Sequence, residues 1–158
     1  MSQQNFDCIV VGGGPAGLTS AIALADAGAR VALVARRTPY GDNRTTALLG
    51  ASLDLLERLK VWPLCAAQAA ALRTMRLVDD TGRLIHAPEV TFTCEEIDLE
   101  AFGYNIENRN LVAALETRSA DMTAIVRFDD EAEAVSPGPD AVEIRTATGA
   151  TLAAPLAV

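Results

Sequence analysis

The stretch that decides the fold is residues 6–37, "FDCIVVGGGPAGLTSAIALADAGARVALVARR". Phe6 to Val11 is an unbroken apolar run that stops at glycine, the pattern of a parallel strand buried on both faces. From Pro15 to Ala27, the residues Leu18, Ala21, Ile22 and Ala25 recur at i, i+3, i+4 and i+7. That spacing predicts an amphipathic helix, and Gly28 is placed to end it. Arg30 to Ala35 is a second apolar run. Strand, helix and strand within about 30 residues make a crossover with parallel neighbours and a right-handed connection.

Between the first strand and the helix lies Gly-x-Gly-x-x-Gly, formed by Gly12, Gly14 and Gly17. The first glycine allows the tight turn out of the strand, the second gives a pyrophosphate room to approach the backbone, and the third lets helix and strand pack closely. Pro15 stands where a missing N–H costs little, and Ala16 is a small filler. The start of the helix offers free N–H groups and a partial positive charge to an anion. Set between a buried strand and an amphipathic helix, the motif predicts a dinucleotide site.

The second strand ends in Ala35, where such units usually place a carboxylate that accepts a hydrogen bond from the adenosine ribose. Ala35 cannot do this. Three readings stay open: a defunct site, recognition of an NADP 2′-phosphate by Arg36 with Arg37 beside it, or a ribose held by other groups.

At 158 residues, half of them hydrophobic and 22% charged, the chain has the composition of one globular domain with a sizeable core. Its net charge of −8 argues against a nucleic-acid surface, which needs clustered basic excess. Cys8, Cys65 and Cys94 are odd in number and widely spaced, which implies neither a disulfide framework nor a zinc site and suits a reducing cytoplasm. Cys8 reads as a small buried hydrophobe. The opening "MSQQNFD" lacks the basic start and apolar stretch of a signal peptide, and no segment approaches the roughly 18 apolar residues of a membrane span.

Beyond the crossover, Thr38 to Arg44 is a polar loop. Leu48, Leu49, Leu53, Leu56 and Leu59 predict a helix over Thr45 to Leu59. Leu72 to Val78 and Leu84 to Phe92 flank "DDTG" and predict a hairpin. Asn108 to Thr117 carries Leu111, Ala114 and Leu115 on one helical face. The last forty residues, with the runs "TAIVRF", "AEAVS", "AVEIRTA" and "ATLAAPLAV", predict a small antiparallel meander feeding a final buried strand. His86 reads as a strand surface residue, and "DDEAE" (129–133) as a solvated acidic turn. The apolar run at the end of the chain reads as that of a fragment, because a sheet edge left in mid-strand is a liability.

"DNRTTALL" (42–49) and "FGYNIENRNLVAAL" (102–115), in this order after the glycine motif, resemble the UbiH/UbiF-type FAD-dependent aromatic hydroxylases, which belong to the p-hydroxybenzoate hydroxylase-like flavoprotein monooxygenases. The resemblance implies an α/β fold: a Rossmann-like, GR2-type FAD-binding βαβ core with an antiparallel β-meander and the start of a substrate-domain sheet. Residues 1–158 would form the N-terminal part of the FAD-binding domain, with 72–98 a hairpin insertion in the substrate-binding layer. It brings Arg44 to the flavin side of the site, makes Asn108 or Arg109 a further cofactor contact, and lays backbone near Ala132 beside the adenine. Gly12, Gly14, Pro15, Ala16 and Gly17 would cradle the pyrophosphate, with Ala35 and Arg36 at the ribose. Family members continue into Gly-Ala-Asp-Gly and a later Gly-Asp motif, which would lie beyond Val158.

The implied reaction is hydroxylation of a polyprenylated phenol of ubiquinone biosynthesis by reduced flavin and O₂, with NAD(P)H as electron donor. Partners would be ubiquinone-pathway proteins, and the location the cytoplasm with peripheral contact at the inner membrane. Two other readings stay open: an NAD(P)-dependent dehydrogenase or flavin-linked reductase on the same βαβ unit, and a non-enzymatic remnant.

Overall fold

The computed structural model describes residues 6–37, 41, 43–84 and 86–158. The elements run β1 (Cys8–Val11), α1 (Pro15–Asp26), β2 (Val31–Val34), β3 (Thr45–Leu49), α2 (Gly50–Arg58), β4 (Ala70–Leu72), β5 (Thr74–Leu77) and β6 (Val90–Thr93). They continue with β7 (Gly103–Glu107), α3 (Asn108–Ala120), β8 (Ile125–Phe128), β9 (Ala132–Pro137), β10 (Val142–Thr146), β11 (Thr151–Ala154) and β12 (Leu156–Ala157).

The opening stretch folds as its pattern requires. Strands β1 and β2 pair in parallel from Cys8↔Val31 to Val11↔Val34, and the sheet extends to the order β12-β1-β2-β8. Its two faces bury different side chains, as alternation along a strand dictates. Cys8, Val10, Val31 and Leu33 pack with α1, α2 and α3 in one core. Ile9, Ala32 and Val34 pack with Phe6, Ile144, Leu152 and Ala154 in a second core on the opposite face. Helix α1 ends at Gly28, whose φ of 95° is the left-handed conformation glycine tolerates. Gly28 N donates to Ala25 O and Ala29 N to Leu24 O, which satisfies the last carbonyls.

Three expectations need correction. Thr45–Leu49 is a strand rather than the first turn of a helix; it pairs antiparallel with β7, Thr45↔Glu107 through Leu49↔Gly103. The leucine period is genuine only from Gly50 onward. The earlier residues, two of them β-branched threonines, are claimed by the strand partner. The "TAIVRF" run does not belong to the meander. As β8 it joins the main sheet, parallel to β2 from Val31↔Ile125 to Val34↔Phe128, so the meander is β9-β10-β11. The last apolar run divides at Pro155 into β11 of the meander and the short strand β12. The latter lies at the sheet edge beside β1, with Leu156 47% exposed.

The hairpin exists, with narrower strands than predicted. β5 pairs with β6 from Thr74↔Thr93 to Leu77↔Val90, and "DDTG" sits within a long connection instead of forming a two-residue turn. His86 lies exposed in that connection. Ala70–Leu72 pairs with β7 instead, giving a separate sheet β3-β7-β4.

In that sheet a Cβ at Gly103 would stand 2.2 Å from the Leu48 carbonyl oxygen. The strands could not keep their spacing. Gly103→Ala is expected to lower stability by about 1–3 kcal/mol, as overpacking does, read as a fall in the thermal unfolding midpoint.

Candidate dinucleotide site

The turn out of β1 depends on Gly12, whose φ is 118° and whose N–H donates to Val34 O at 2.9 Å. Helix α1 then begins at Pro15, with Gly14 in an extended conformation at the cap and no side chain capping the first turn. The N–H groups of that turn are thus left to an external acceptor. A Cβ on Gly17 would come to 2.1 Å from Gly12 O, so this position must be glycine for helix and strand to touch. A Cβ on Gly14 would meet nothing within 4 Å. The glycine at 14 therefore keeps open a space that no protein atom fills.

That space belongs to a groove of about 450 Å³ lined by Val11 to Gly14, Val34 to Arg36, and Asp130 to Ala132, with Val112 and Glu116 at its side. An open glycine loop, an uncapped helix start and an elongated groove beyond them fit a dinucleotide with its pyrophosphate at the loop.

The wall opposite the glycines is built where β2 ends. Ala35 is buried, and a Cβ on Gly13 would lie 3.1 Å from its own. Ala35 N donates to Phe128 O at 3.0 Å. Arg37 N donates to Asp129 Oδ1 at 2.7 Å, and Arg36 Nη2 forms an ion pair with Glu131 Oε2. Arg127 supports the same corner from β8. Its Nη1 pairs with Glu116 of α3 at 2.5 Å, its Nη2 donates to Arg36 O at 3.2 Å, and its Nε is buried without a partner.

The turn after β8 is held by Asp130. Its Oδ1 accepts from Glu131 N at 2.8 Å, and its Oδ2 accepts from both N and Oγ1 of Thr148. Hydrogen bonding from the Thr146 and Thr148 side chains holds its pKa down at about 2.

The residues singled out in the sequence divide between places. Gly12, Gly14, Ala35, Arg36 and Ala132 line the groove, and Pro15, Ala16 and Gly17 open the helix beside it. Asn108 does not. It is the first residue of α3, buried, with its N–H donating to Arg44 O at 3.0 Å and its Oδ1 accepting from Thr46 Oγ1 at 2.5 Å. These bonds tie the loop before β3 to the start of the helix. Arg109 is exposed, pairs with Glu107 at 2.5 Å, and lines a second cavity of about 710 Å³ with Arg37 and Arg127. Arg44 is exposed next to β3, and Asp42 of the Asp-x-Arg stretch lies outside the described residues. The acidic run 129–133, read from sequence as a solvated turn, forms the groove wall through Asp130 and Glu131. No pattern within the run signals this, because its partners Arg36 and Arg37 are more than 90 residues away in sequence.

Comparison with known proteins agrees with this architecture. The chain has the fold of p-nitrophenol 4-monooxygenase PnpA from Pseudomonas putida DLL-E4, at TM-score 0.75 and 18% identity, covering 98% of this chain and 40% of that one. It is also similar in fold to the anhydrotetracycline hydroxylase OxyS from Streptomyces rimosus, at TM-score 0.73 and 19% identity, covering 98% and 31%. In sequence it is 32% identical over 113 residues to the ubiquinone hydroxylase UbiM of Neisseria meningitidis serogroup C. That match covers 66% of this chain and 24% of the relative, so the chain spans well under half the length of the proteins it matches. The model of the FAD binding domain family matches residues 5–151, and the chain belongs to that family. The cofactor of this family is FAD.

Two predictions follow from the geometry. Gly14→Ala is expected to leave the thermal midpoint unchanged and to weaken FAD uptake, whereas Gly17→Ala loses stability as well, because only the second added methyl meets backbone. Thermal melts with and without FAD separate the two. For Asp130, the folded pKa of about 2 lies below the ordinary 3.8, so its contribution is full above about pH 3.8 and lost as pH falls through about 2. The midpoint of Asp130→Asn should therefore vary less over that acid range than that of the wild type.

Proposed function

We propose that this chain is the FAD-binding portion of a flavin-dependent monooxygenase that hydroxylates a polyprenylated phenol in ubiquinone biosynthesis. The observation that carries the FAD-binding part of this reading is the groove running from the uncapped start of α1 past Ala35 to the meander. The name of the UbiM relative, a ubiquinone hydroxylase, supports the link to ubiquinone. FAD, when bound, supplies the redox chemistry that activates O₂ for ring hydroxylation, with NAD(P)H as electron donor.

The chain's own residues have positioning roles. The N–H groups at the start of α1 bind the pyrophosphate, and Gly12 and Gly14 let it approach the backbone. The corner made by Ala35, Arg36 and Glu131 receives the adenosine end, with the backbone at Ala132 flanking the adenine. Arg44, Asn108 and Arg109 lie where β7 ends and α3 begins, and we assign this junction, which Asn108 ties to the loop before β3, to further contacts with the cofactor. Residues 72–98 belong to the substrate layer. Met75, Leu77, Val90 and Phe92 share one face of the β5–β6 hairpin, as the pairing Met75↔Phe92 and Leu77↔Val90 requires, and all four are exposed. This apolar face suits an apolar substrate or a covering layer.

No described helix is long and apolar enough to cross a membrane. Independently of that, the proposed polyprenyl substrate favours peripheral contact with the inner membrane from the cytoplasm, beside other ubiquinone-pathway proteins. The NADP reading is weakened by the ion pair of Arg36 with Glu131, since a 2′-phosphate would meet a neutralised arginine and a carboxylate.

The whole protein is expected to purify yellow with bound FAD and to consume NAD(P)H and O₂ faster when a polyprenyl phenol is added. A colourless protein that takes up no added FAD, or one that binds NADPH but no flavin, would overturn the proposal.

A further inference from the structure

We propose that Glu131 supplies the ribose-binding carboxylate that the end of β2 lacks, so that this site binds the adenosine of its dinucleotide through a side chain from the turn between β8 and β9. This rests on the FAD-binding reading above. A carboxylate at the end of the second strand accepts a hydrogen bond from the ribose 2′-hydroxyl in such units. Here that position is Ala35, whose side chain is buried against Gly13 and offers no acceptor. The groove on which Ala35 opens has carboxylates from Glu116, Asp130 and Glu131 along it. Glu116 is committed to Arg127, and Asp130 to Thr148 and the Glu131 N–H.

Glu131 is placed differently. Its backbone is fixed on both sides, with its N–H donating to Asp130 Oδ1 at 2.8 Å and its carbonyl accepting from Ala147 N at 2.8 Å. Its side chain is 59% exposed and is oriented by Arg36, the residue next to Ala35. That ion pair engages Oε2. A carboxylate has about four acceptor positions, so the pair steers the group toward the end of β2 without using up its capacity for a hydroxyl. Arg36 is then a positioning residue. The same arrangement selects the class of dinucleotide: a free 2′-hydroxyl can donate to Glu131, and a 2′-phosphate would be repelled by it.

The test is calorimetric titration of the full chain with FAD and with an FAD analogue lacking the 2′-hydroxyl of the adenosine ribose. The wild type should bind FAD about tenfold or more tighter than the analogue, the range of a hydrogen bond to a charged group. Glu131→Ala should lose most of that preference while binding the analogue as the wild type does, which also shows that the groove is intact. Arg36→Met should reduce the preference partway. A wild type with no preference, a Glu131→Ala protein that keeps it, or an equal loss toward both ligands would each overturn the inference. A wild-type chain that takes up neither ligand instead overturns the FAD reading on which it rests.

Discussion

Helix α1 rests on β1 so closely that position 17 has no room for a Cβ, which would stand 2.1 Å from the Gly12 carbonyl oxygen. This contact has to be made before the site can exist. It brings the helix start to the end of the strand and turns the chain through the positive φ at Gly12. It also leaves the first-turn N–H groups without a side-chain cap. The apolar residues behind it, Leu18, Ala21 and Ile22 on the helix and Val10 and Leu33 on the sheet, are fully buried and hold the approach in place.

The end of β2 is the second fixed point. Four successive links join it to β8 and the following turn: the Ala35 and Arg37 N–H groups, the Arg36 side chain and the Arg36 carbonyl. Burying the Arg127 guanidinium at this corner has a cost, visible in its unpartnered Nε, and the ion pair with Glu116 offsets part of it. The exposed Arg36–Glu131 pair contributes little to stability. Its consequence is where it puts a carboxylate.

Residues 6–37 announced their own structure because every local signal agreed: burial pattern, helical period, glycine at the turn and glycine at the helix end. From Thr45 onward the signals conflicted. Leu48 and Leu49 fit the helical period of the residues after them, and only the antiparallel partner at 103–107 makes them a strand. The run at 125–128 looks locally like the meander strands beside it, and its parallel pairing with β2 is set by contacts more than 90 residues distant. The glycine half of the site was legible for the same reason as the crossover, its chemistry being contained within six residues. The acidic half was not, since a carboxylate in "DDEAE" gains its meaning from an arginine at the far end of the sequence.

The main sheet carries a different core on each face. In β1, Cys8 and Val10 face the helices while Ile9 faces the meander, and β2 repeats this with Val31 and Leu33 against Ala32 and Val34. A slip of one residue in the β1–β2 pairing would exchange these sets and send every side chain to the wrong layer. It would also carry Gly12 away from the Val34 carbonyl that receives its N–H. Packing on two sides therefore acts as a ruler for the site: the alignment of two four-residue strands decides where the glycine turn falls.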